Sequence, residues 1–140
     1  MLELAREVCE RVPSDGFPVH CDGEPAEIDG DAALLARAIE NLVRNSIDSV
    51  REKGGGEVRV AIRGGAAPQL RVEDNGVGID PGEIPRLLLP FQSTKPSGYG
   101  LGLPLTRKIA LLHGASLRLH GKRGEGATAV IEFPAPQQQQ

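Results

Sequence analysis

"DNGVGIDPGEIPRLLLPFQSTKPSGYGLGLPLTRKI", residues 74–109, contains two glycine clusters with Lys95 in a turn between them, and a helix is predicted directly after the second cluster. Glycine lets the backbone adopt positive φ and approach a ligand closely. The first turn of a helix, where Pro104 is readily accommodated, presents unpaired N–H groups and the positive end of the helix dipole. We therefore expect the phosphates of a ligand to bind in front of this helix, with the cation of Lys95 near the terminal phosphates.

The spacing of the glycines distinguishes this segment from two common nucleotide-binding motifs. A Walker motif requires Gly-Lys-Ser/Thr, which does not occur in the sequence. The Rossmann motif places two residues before its last glycine, whereas Gly98, Gly100 and Gly102 alternate with single residues. The first cluster follows Asp74 at the end of a predicted strand, where the carboxylate is free to accept a hydrogen bond from an amino group of the ligand. Taken alone, "DNG" is typical of an ordinary turn.

The sequence around this segment predicts an α+β fold. Hydrophobic residues recur at helical spacing over residues 2–12, 32–52 and 103–113, and Asp31 is placed to cap the long second helix. Alternating or short apolar runs predict strands at residues 19–21, 57–62, 69–74, 116–120 and 128–133. This order predicts a two-layer α/β sandwich, in which about three helices cover one face of a mixed sheet of about five strands.

The long helix has a polar edge beside its apolar stripe. Asn41, Asn45 and Asp48 fall on one side of the helix, at the border of the stripe that we expect to face the core. Either these side chains make ordinary hydrogen bonds to a neighbouring loop, or their oxygens hold Mg²⁺, which keeps most of its waters and takes phosphate oxygens as well. Glu40 points instead to an outer face that is rich in arginine.

Composition limits the classes of function. The chain has 140 residues and a formal charge of -3, with no dense basic run, which argues against a nucleic-acid partner. No apolar run reaches membrane-spanning length, so we expect no direct membrane contact and a cytoplasmic domain, on its own or as the cytoplasmic part of a membrane-anchored protein. Cys9 and Cys21 are interpreted as buried, unreactive thiols in a reducing setting. We expect residues 1–136 to form one domain and residues 137–140 a disordered tail.

Five segments carry a resemblance to a known family. In chain order they are "NLVRNSIDS", "DNGVGI", "PFQSTK", "GYGLGL" and "GEGAT". They resemble the N, G1, F, G2 and G3 boxes of the catalytic ATP-binding domain of bacterial sensor histidine kinases, which belongs to the Bergerat-fold ATPase superfamily with gyrase, Hsp90 and MutL. The resemblance covers residues 2–134. It implies the Bergerat ATP-binding fold, with ATP and Mg²⁺ as ligands.

The resemblance also implies a role for individual residues. Asn45 would ligate Mg²⁺ with Asn41 beside it at the phosphates, and Asp74 would recognise the adenine amino group with Thr128 near the same edge of the base. Asn41, Asn45 and Lys95 would form the catalytic set, and residues 84–99 a lid that orders over bound triphosphate, in which Gln92 and Tyr99 replace the usual Phe and Thr. The implied ATP-binding residues are Asn41, Asn45, Asp74, Gly76, Gly78, Ile79, Phe91, Thr94, Lys95, Gly98, Tyr99, Gly100, Leu101, Gly102, Leu103 and Thr128.

The residue at position 41 separates kinases from ATPases in this superfamily. The ATPases resemble one another in placing a water-activating glutamate four residues before the Mg²⁺ ligand, and that position is Asn41 here. An amide cannot take a proton, so the resemblance implies that the nucleophile is a histidine on a separate dimerisation and histidine-phosphotransfer domain, with a response regulator downstream. Alternative readings are an anti-sigma-type protein kinase, a gyrase, Hsp90 or MutL-like ATPase, or a nucleotide-binding module without transfer activity.

The three histidines of the chain lack a phosphoacceptor context. His113 is interpreted as a helix-end residue favoured by the helix dipole. His20 and His120 are expected to lie on strands. The sequence is therefore interpreted as the nucleotide-binding half of a histidine kinase without its phosphoacceptor.

Overall fold

The computed structural model describes residues 1–89 and 102–135. The helices are α1 (Leu2–Arg11), α2 (Ala32–Lys53), α3 (Ile84–Leu87) and α4 (Gly102–Leu112), and the strands are β1 (Val19–Gly23), β2 (Val58–Arg63), β3 (Gln69–Asp74), β4 (Ser116–Lys122) and β5 (Gly126–Glu132). Expectations for residues 137–140 and for seven site residues lie outside the described residues; the seven are Phe91, Thr94, Lys95, Gly98, Tyr99, Gly100 and Leu101.

The five strands form one mixed sheet, as predicted. Their order is β1-β2-β3-β5-β4, in which β1 runs parallel to β2 and every other neighbouring pair is antiparallel. The register places Asp74, the last residue of β3, between Val58 of β2 and Ala127 of β5. The carboxylate that we expect to meet the ligand therefore lies at one end of the sheet, on its central strand.

The helices cover one face of the sheet, which confirms the two-layer sandwich. In β2 the side chains of Val58, Val60 and Ile62 are buried, whereas Arg59 and Arg63 between and beyond them are exposed. Because side chains alternate along a strand, the buried set packs on the helices and the arginines lie on a helix-free face. The core joins buried residues of α1, α2, α4 and all strands from β2 to β5.

The helix α2 begins and ends where local chemistry dictates. Asp31 accepts hydrogen bonds from the N–H groups of Ala33 and Leu34 at 2.9 and 3.1 Å, which caps the first turn. At the other end Gly54 adopts φ +94°, the left-handed conformation that closes a helix. All the residues expected to face the core are buried, namely Leu35, Ile39, Leu42, Val43, Ser46 and Val50.

The short helix α3 was not predicted. It follows a 3₁₀ turn, Pro81–Glu83, in which Asp80 accepts a 3.0 Å hydrogen bond from the N–H of Gly82. A helix of four residues is too short to show apolar periodicity, so its signal is confined to this local cap. The described residues thus hold four α-helices rather than about three, and none of them is long and apolar enough to cross a membrane.

His113 lies just beyond α4, as expected, but its role differs from the prediction. Its Nδ1 atom lies 2.8 Å from the carbonyl oxygen of Ile109, and its Nε2 atom accepts a 3.0 Å hydrogen bond from the N–H of Asp31. An Nε2 that accepts carries no proton, so the ring is neutral and donates through Nδ1. The His113 ring is therefore not a cation stabilised by the helix dipole, as predicted. It is a neutral side chain that links the end of α4 to the cap of α2. His20 and His120 lie on β1 and β4, as predicted.

The two cysteines are less buried than predicted. Cys9 of α1 and Cys21 of β1 are free and half-buried, and both pack against the core. The helix α1 packs against the edge strand β1. The low reactivity of these thiols stays a prediction.

Candidate functional site

The polar edge of α2 contains two buried polar atoms that lack partners. Asn41, Asn45 and Asp48 are all half-buried. Within residues 1–89 and 102–135, neither Nδ2 of Asn41 nor Oδ2 of Asp48 has a hydrogen-bond partner, although Oδ1 of Asp48 accepts a 2.7 Å bond from Arg51. A buried polar group without a partner costs about 1–3 kcal/mol. Among residues 1–89 and 102–135, no loop supplies a hydrogen-bond partner for this amide of Asn41, and a ligand bound at this edge would supply one.

The start of α4 faces this edge. A Cβ atom built on Gly102 would lie 3.9 Å from Nδ2 and 4.0 Å from Oδ1 of Asn45. The first turn of α4 is fixed by Thr106, which is fully buried and donates a 2.9 Å hydrogen bond to the carbonyl of Gly102. The amide of Asn45 thus lies at the amino end of an 11-residue helix, where the dipole and free N–H groups attract anions.

The side chains at this edge suit a hard metal cation only if a bound ligand supplies further oxygen atoms. In the described part of the chain, no group of three or more His, Cys, Asp or Glu side chains could hold a metal ion. The amide oxygen of Asn45 is one hard donor, and Mg²⁺ completes its shell with waters and phosphate oxygens. The residues present therefore fit Mg²⁺ bound jointly with a polyphosphate.

Asp74 is oriented by the turn that follows it. Its Oδ1 accepts a 2.9 Å hydrogen bond from the N–H of Gly76. Gly76 is buried against α2, since a Cβ atom there would lie 2.2 Å from Oγ of Ser49. That Oγ accepts a 3.0 Å hydrogen bond from the N–H of Val77. Ser49 therefore ties the turn after Asp74 to the helix that carries Asn45, one helical turn away.

Two glycines bring the β4–β5 hairpin against the same turn. Gly78 has φ +78°, and a Cβ atom on it would lie 2.0 Å from the carbonyl oxygen of Lys122. Gly126 has φ +97°, and a Cβ atom on it would lie 2.0 Å from the carbonyl oxygen of Asp74. A side chain at either position would collide with backbone, so these glycines are required by close packing as well as by conformation.

Lys53 stabilises this arrangement from the last turn of α2. Its Nζ donates hydrogen bonds of 3.1 Å to the carbonyl oxygens of both Asn75 and Gly124. Sequence reasoning missed both Lys53 and Ser49. In the sequence, Lys53 looks like an ordinary cation at a helix end, and Ser49 looks like one more small residue of the core stripe. The position of Ser49 four residues after Asn45 could nevertheless have indicated that it lies on the same side of the helix.

The register of β5 places Thr128 and Asp74 on opposite faces of the sheet, although both residues line one cleft at its end. Across the ladder Asp74 pairs with Ala127, whereas Thr128 pairs with Glu73 and His120. Because side chains alternate along a strand, Thr128 belongs to the helix-free face and Asp74 to the helical face. The other two half-buried site residues, Ile79 and Leu103, pack against the core on the helical side.

A separate cleft of about 440 Å³ lies at the helix-free face, next to the end of the sheet. Its wall includes Glu57, Glu73, His120 and Thr128, together with Asp74 at the sheet end. A hydrogen bond from Arg59 is the main cause that holds the pKa of Glu57 below its ordinary value. Neither Asn41 nor Asn45 lines this cleft, so it is distinct from the polar edge of α2.

Glu40 is held away from the site, as predicted. Its Oε1 lies 2.8 Å from Nη2 of Arg44, one turn along α2, and its Oε2 lies 3.7 Å from Arg11 of α1. These contacts are on the outer side of the helix, where Arg44 is exposed. The carboxylate nearest in sequence to Asn41 therefore does not share the polar edge.

Comparisons with known proteins agree with this geometry. A family model described as "Histidine kinase-, DNA gyrase B-, and HSP90-like ATPase" matches residues 30–137. The chain is 35% identical over 121 residues to the C4-dicarboxylate transport sensor protein DctS of Rhodobacter capsulatus, a match that covers 84% of this chain and 18% of DctS. It is 32% identical over 118 residues to the signal transduction histidine-protein kinase AtoS of Escherichia coli, covering 84% of this chain and 19% of AtoS.

The fold also matches a solved structure. The mycobacterial sensor histidine kinase MprB superimposes with a TM-score of 0.84 and 26% sequence identity, over 95% of this chain and 93% of that one. The chain spans about a fifth of the length of DctS and of AtoS. The other four fifths of these two proteins therefore lie outside the matched region.

Proposed function

The chain belongs to the histidine kinase-, DNA gyrase B- and HSP90-like ATPase family, and on that premise we propose that it binds Mg-ATP and transfers the γ-phosphate to a histidine of a separate dimerisation domain. Its fold is the Bergerat ATP-binding fold of histidine kinase catalytic domains. The observation that carries the proposal is the position of Asn45 at the amino end of α4, with Nδ2 of Asn41, which has no partner in the described part of the chain, one turn earlier.

The polar edge of α2 would hold the phosphates. The buried N–H of Asn41 lacks an acceptor among the described residues, and a phosphate oxygen would supply one. Asn45 would be the protein ligand of Mg²⁺, which when bound neutralises charge on the phosphates. The N–H groups at the start of α4 would receive further phosphate oxygens, and Lys95 would add its cation from the proposed lid.

Asp74 would select the base. Its carboxylate is fixed by the N–H of Gly76, and it accepts hydrogen bonds but cannot donate them when ionised. The exocyclic amino group of adenine is a donor, whereas guanine presents an acceptor at the corresponding position. We therefore propose that Asp74 sets the preference for adenine nucleotides.

Transfer rather than hydrolysis follows from the groups near position 41. Asn41 cannot take a proton from water, and Glu40 is bound by Arg44 on the outer side of α2. The attacking group would then be an imidazole of the partner domain, positioned in line with the γ-phosphate. A response regulator would receive the phosphate next, and the chain would work in the cytoplasm as part of a longer sensor.

A phosphotransfer assay tests the proposal. The chain is incubated with ATP labelled at the γ-phosphate and Mg²⁺, alone and then with a purified dimerisation domain that carries a phosphoacceptor histidine. We expect acid-labile label on the added domain and little phosphate release by the chain alone. Rapid phosphate release by the chain alone would indicate an ATPase, and tight ATP binding without transfer to any tested domain would indicate a binding module.

A further inference from the structure

The side chain of Lys53 joins two chain segments just beyond the end of the sheet. The pairing of β3 with β5 ends at Asp74 and Ala127, so Asn75 and Gly124 both lie outside the paired strands. Neither of their carbonyl oxygens is part of a strand ladder. Nζ of Lys53 donates a 3.1 Å hydrogen bond to each of the two oxygens. One side chain therefore connects these segments where the backbone pairing has stopped.

Asn75 is also held from a second direction. Its Oδ1 accepts a 2.7 Å hydrogen bond from the N–H of Glu57, directly before β2. The same oxygen lies against Gly56, where a Cβ atom would collide with it. With its carbonyl bound by Lys53 and its side chain bound by Glu57, the residue that follows Asp74 is fixed on both sides.

The tip of the β4–β5 hairpin is bound to the same turn. The N–H of Gly124 donates a 2.6 Å hydrogen bond to the carbonyl of Val77, and the carbonyl of Gly124 accepts the bond from Lys53. Both polar groups of this glycine are therefore used to hold the hairpin. The bond from Lys53 also ties the hairpin tip directly to α2, the helix that carries Asn45.

We propose that Lys53 is a positioning residue for nucleotide selection, which holds the carboxylate of Asp74 where the amino group of adenine requires it. The inference rests on the proposed function, in which Asp74 recognises the base. Lys53 lies about two helical turns beyond Asn45 on α2, so its replacement leaves the proposed Mg²⁺ ligand in place. Lys53 should therefore affect recognition of the base and not the binding of the phosphates.

The two acceptors define what residue 53 must supply. Both are carbonyl oxygens, so the side chain must donate at least two N–H groups, which an ammonium and a guanidinium can do. Methionine has a similar length but no donor. Lys53→Met and Lys53→Arg are therefore a matched pair, in which only the first removes the link. Lys108→Met removes an exposed cation from α4 and controls for the change in net charge.

Competition binding of ATP and GTP in the presence of Mg²⁺ tests the proposal. We expect Lys53→Met to reduce the ratio of the two affinities by about three- to tenfold, the range for the net loss of one or two exposed hydrogen bonds. Lys53→Arg and Lys108→Met should keep the ratio of the unchanged chain. In the transfer assay with an added dimerisation domain, Lys53→Met should raise the KM for ATP and leave the rate at saturating ATP unchanged.

Hydrogen exchange distinguishes positioning from general destabilisation. If Lys53 positions the turn, exchange in Lys53→Met should become faster at residues 75–77 and 123–126 and stay unchanged in the rest of the sheet. A merely structural role would instead speed exchange throughout the sheet and weaken ATP and GTP binding by the same factor. Thermal melting of each variant establishes that it folds. If Lys53→Met does not fold, Lys53→Gln, whose shorter side chain is uncharged, is compared by the same ratio.

Two sets of results would overturn the proposal, and they differ in what else they exclude. If the unchanged chain prefers ATP and Lys53→Met keeps that preference in full, or if Lys108→Met lowers it equally, Lys53 does not position the base-recognition carboxylate. If the unchanged chain binds ATP and GTP equally well, base selection by Asp74 is wrong, and the inference fails together with that part of the proposed function.

Discussion

Oγ of Ser49 accepts a 3.0 Å hydrogen bond from the N–H of Val77, and this bond couples the two halves of the candidate site. Ser49 lies on α2 one turn beyond Asn45, and Val77 lies in the turn that follows Asp74. This buried side chain therefore helps to set the distance between the proposed metal ligand and the proposed base-recognition carboxylate, and its loss should affect stability and nucleotide binding together.

Replacing Ser49 with alanine should destabilise the chain. The N–H of Val77 would keep only its longer 3.3 Å contact with the carbonyl of Ser49, so we expect a loss of about 1–2 kcal/mol in the free energy of unfolding. ATP should also bind more weakly. Urea denaturation and calorimetry measure the two effects. Ser46→Ala, which also removes a buried hydroxyl from α2, is the matched control, and equal weakening of ATP binding by both variants would contradict the role of Ser49.

The Asn45→Ala variant should lose the magnesium dependence of ATP binding. The amide oxygen is the proposed protein ligand of Mg²⁺, so without it added metal should no longer tighten binding beyond its effect on free ATP. Titration calorimetry with Mg²⁺ and with a chelator measures this difference. Asn45→Asp keeps an oxygen donor and should retain the metal dependence. An alanine variant whose affinity still responds to Mg²⁺ like that of the unchanged chain would rule out this assignment.

The Asp74→Asn variant should lose the preference for adenine over guanine nucleotides. An amide can donate as well as accept, so the acceptor of guanine would no longer be rejected. We expect the ratio of the two affinities to fall by about tenfold or more, as when a site loses a group that pairs with the ligand. Competition binding with ATP and GTP measures the ratio. Glu73→Gln changes the adjacent carboxylate, which lies on the other face of the sheet, and an equal effect there would count against Asp74.

The Gly30→Ala variant should destabilise the junction between α2 and α4. A Cβ atom at Gly30 would lie 2.3 Å from Cδ2 and 2.6 Å from Nε2 of His113, so the ring must move and the N–H of Asp31 loses its acceptor. We expect a loss of about 1–3 kcal/mol in the free energy of unfolding. Gly55→Ala is the control, because nothing lies within 4 Å of a Cβ atom there. The clash would be excluded if the two variants melted at the same temperature.

The elements of the fold followed from signals that act over a few residues. The alternation in β2 and β3 and the cap at Asp31 each lie within one element or at its end, and both were predicted. Contacts between segments that are distant in sequence were not predicted. The bond between Asp31 and His113 spans 82 residues, and no local pattern encodes a contact over that distance in sequence.

At the candidate site, too, local features were predicted and contacts between distant segments were not. The box pattern led to Asn41, Asn45 and Asp74, and the structure brings Asn45 beside Gly102 and fixes Asp74 at the end of β3. Thr128 lies on the other face of the sheet from Asp74, because a shift of one residue along a strand exchanges the two faces, and its place near the base stays a prediction. Only the register shows that Ala127 is opposite Asp74. Sequence reasoning thus found the polar residues that a ligand requires and missed those that hold the backbone, such as Ser49 and Lys53.

The Asn41→Glu variant should convert part of the transfer activity into hydrolysis. Position 41 lies on the polar edge of α2 one turn before Asn45, and a carboxylate there could accept a proton from a water that attacks the γ-phosphate. A positioned general base contributes about 10²–10⁴-fold to a rate, so a clear rise in phosphate release is expected even if the new side chain is imperfectly placed. Transfer to an added dimerisation domain should fall, because water would compete with the imidazole.

Glu40→Gln is the control that locates the effect of that substitution. The carboxylate of Glu40 is engaged by Arg44 on the outer side of α2, so its removal should change neither phosphate release nor transfer. Both variants are compared with the unchanged chain by measuring free phosphate and labelled partner in the same reaction. If Asn41→Glu binds ATP normally yet releases no more phosphate than the unchanged chain, the absence of a base at position 41 is not what limits hydrolysis. If Glu40→Gln lowers the basal release, Glu40 reaches the site after all, and the division between kinase and ATPase cannot rest on position 41.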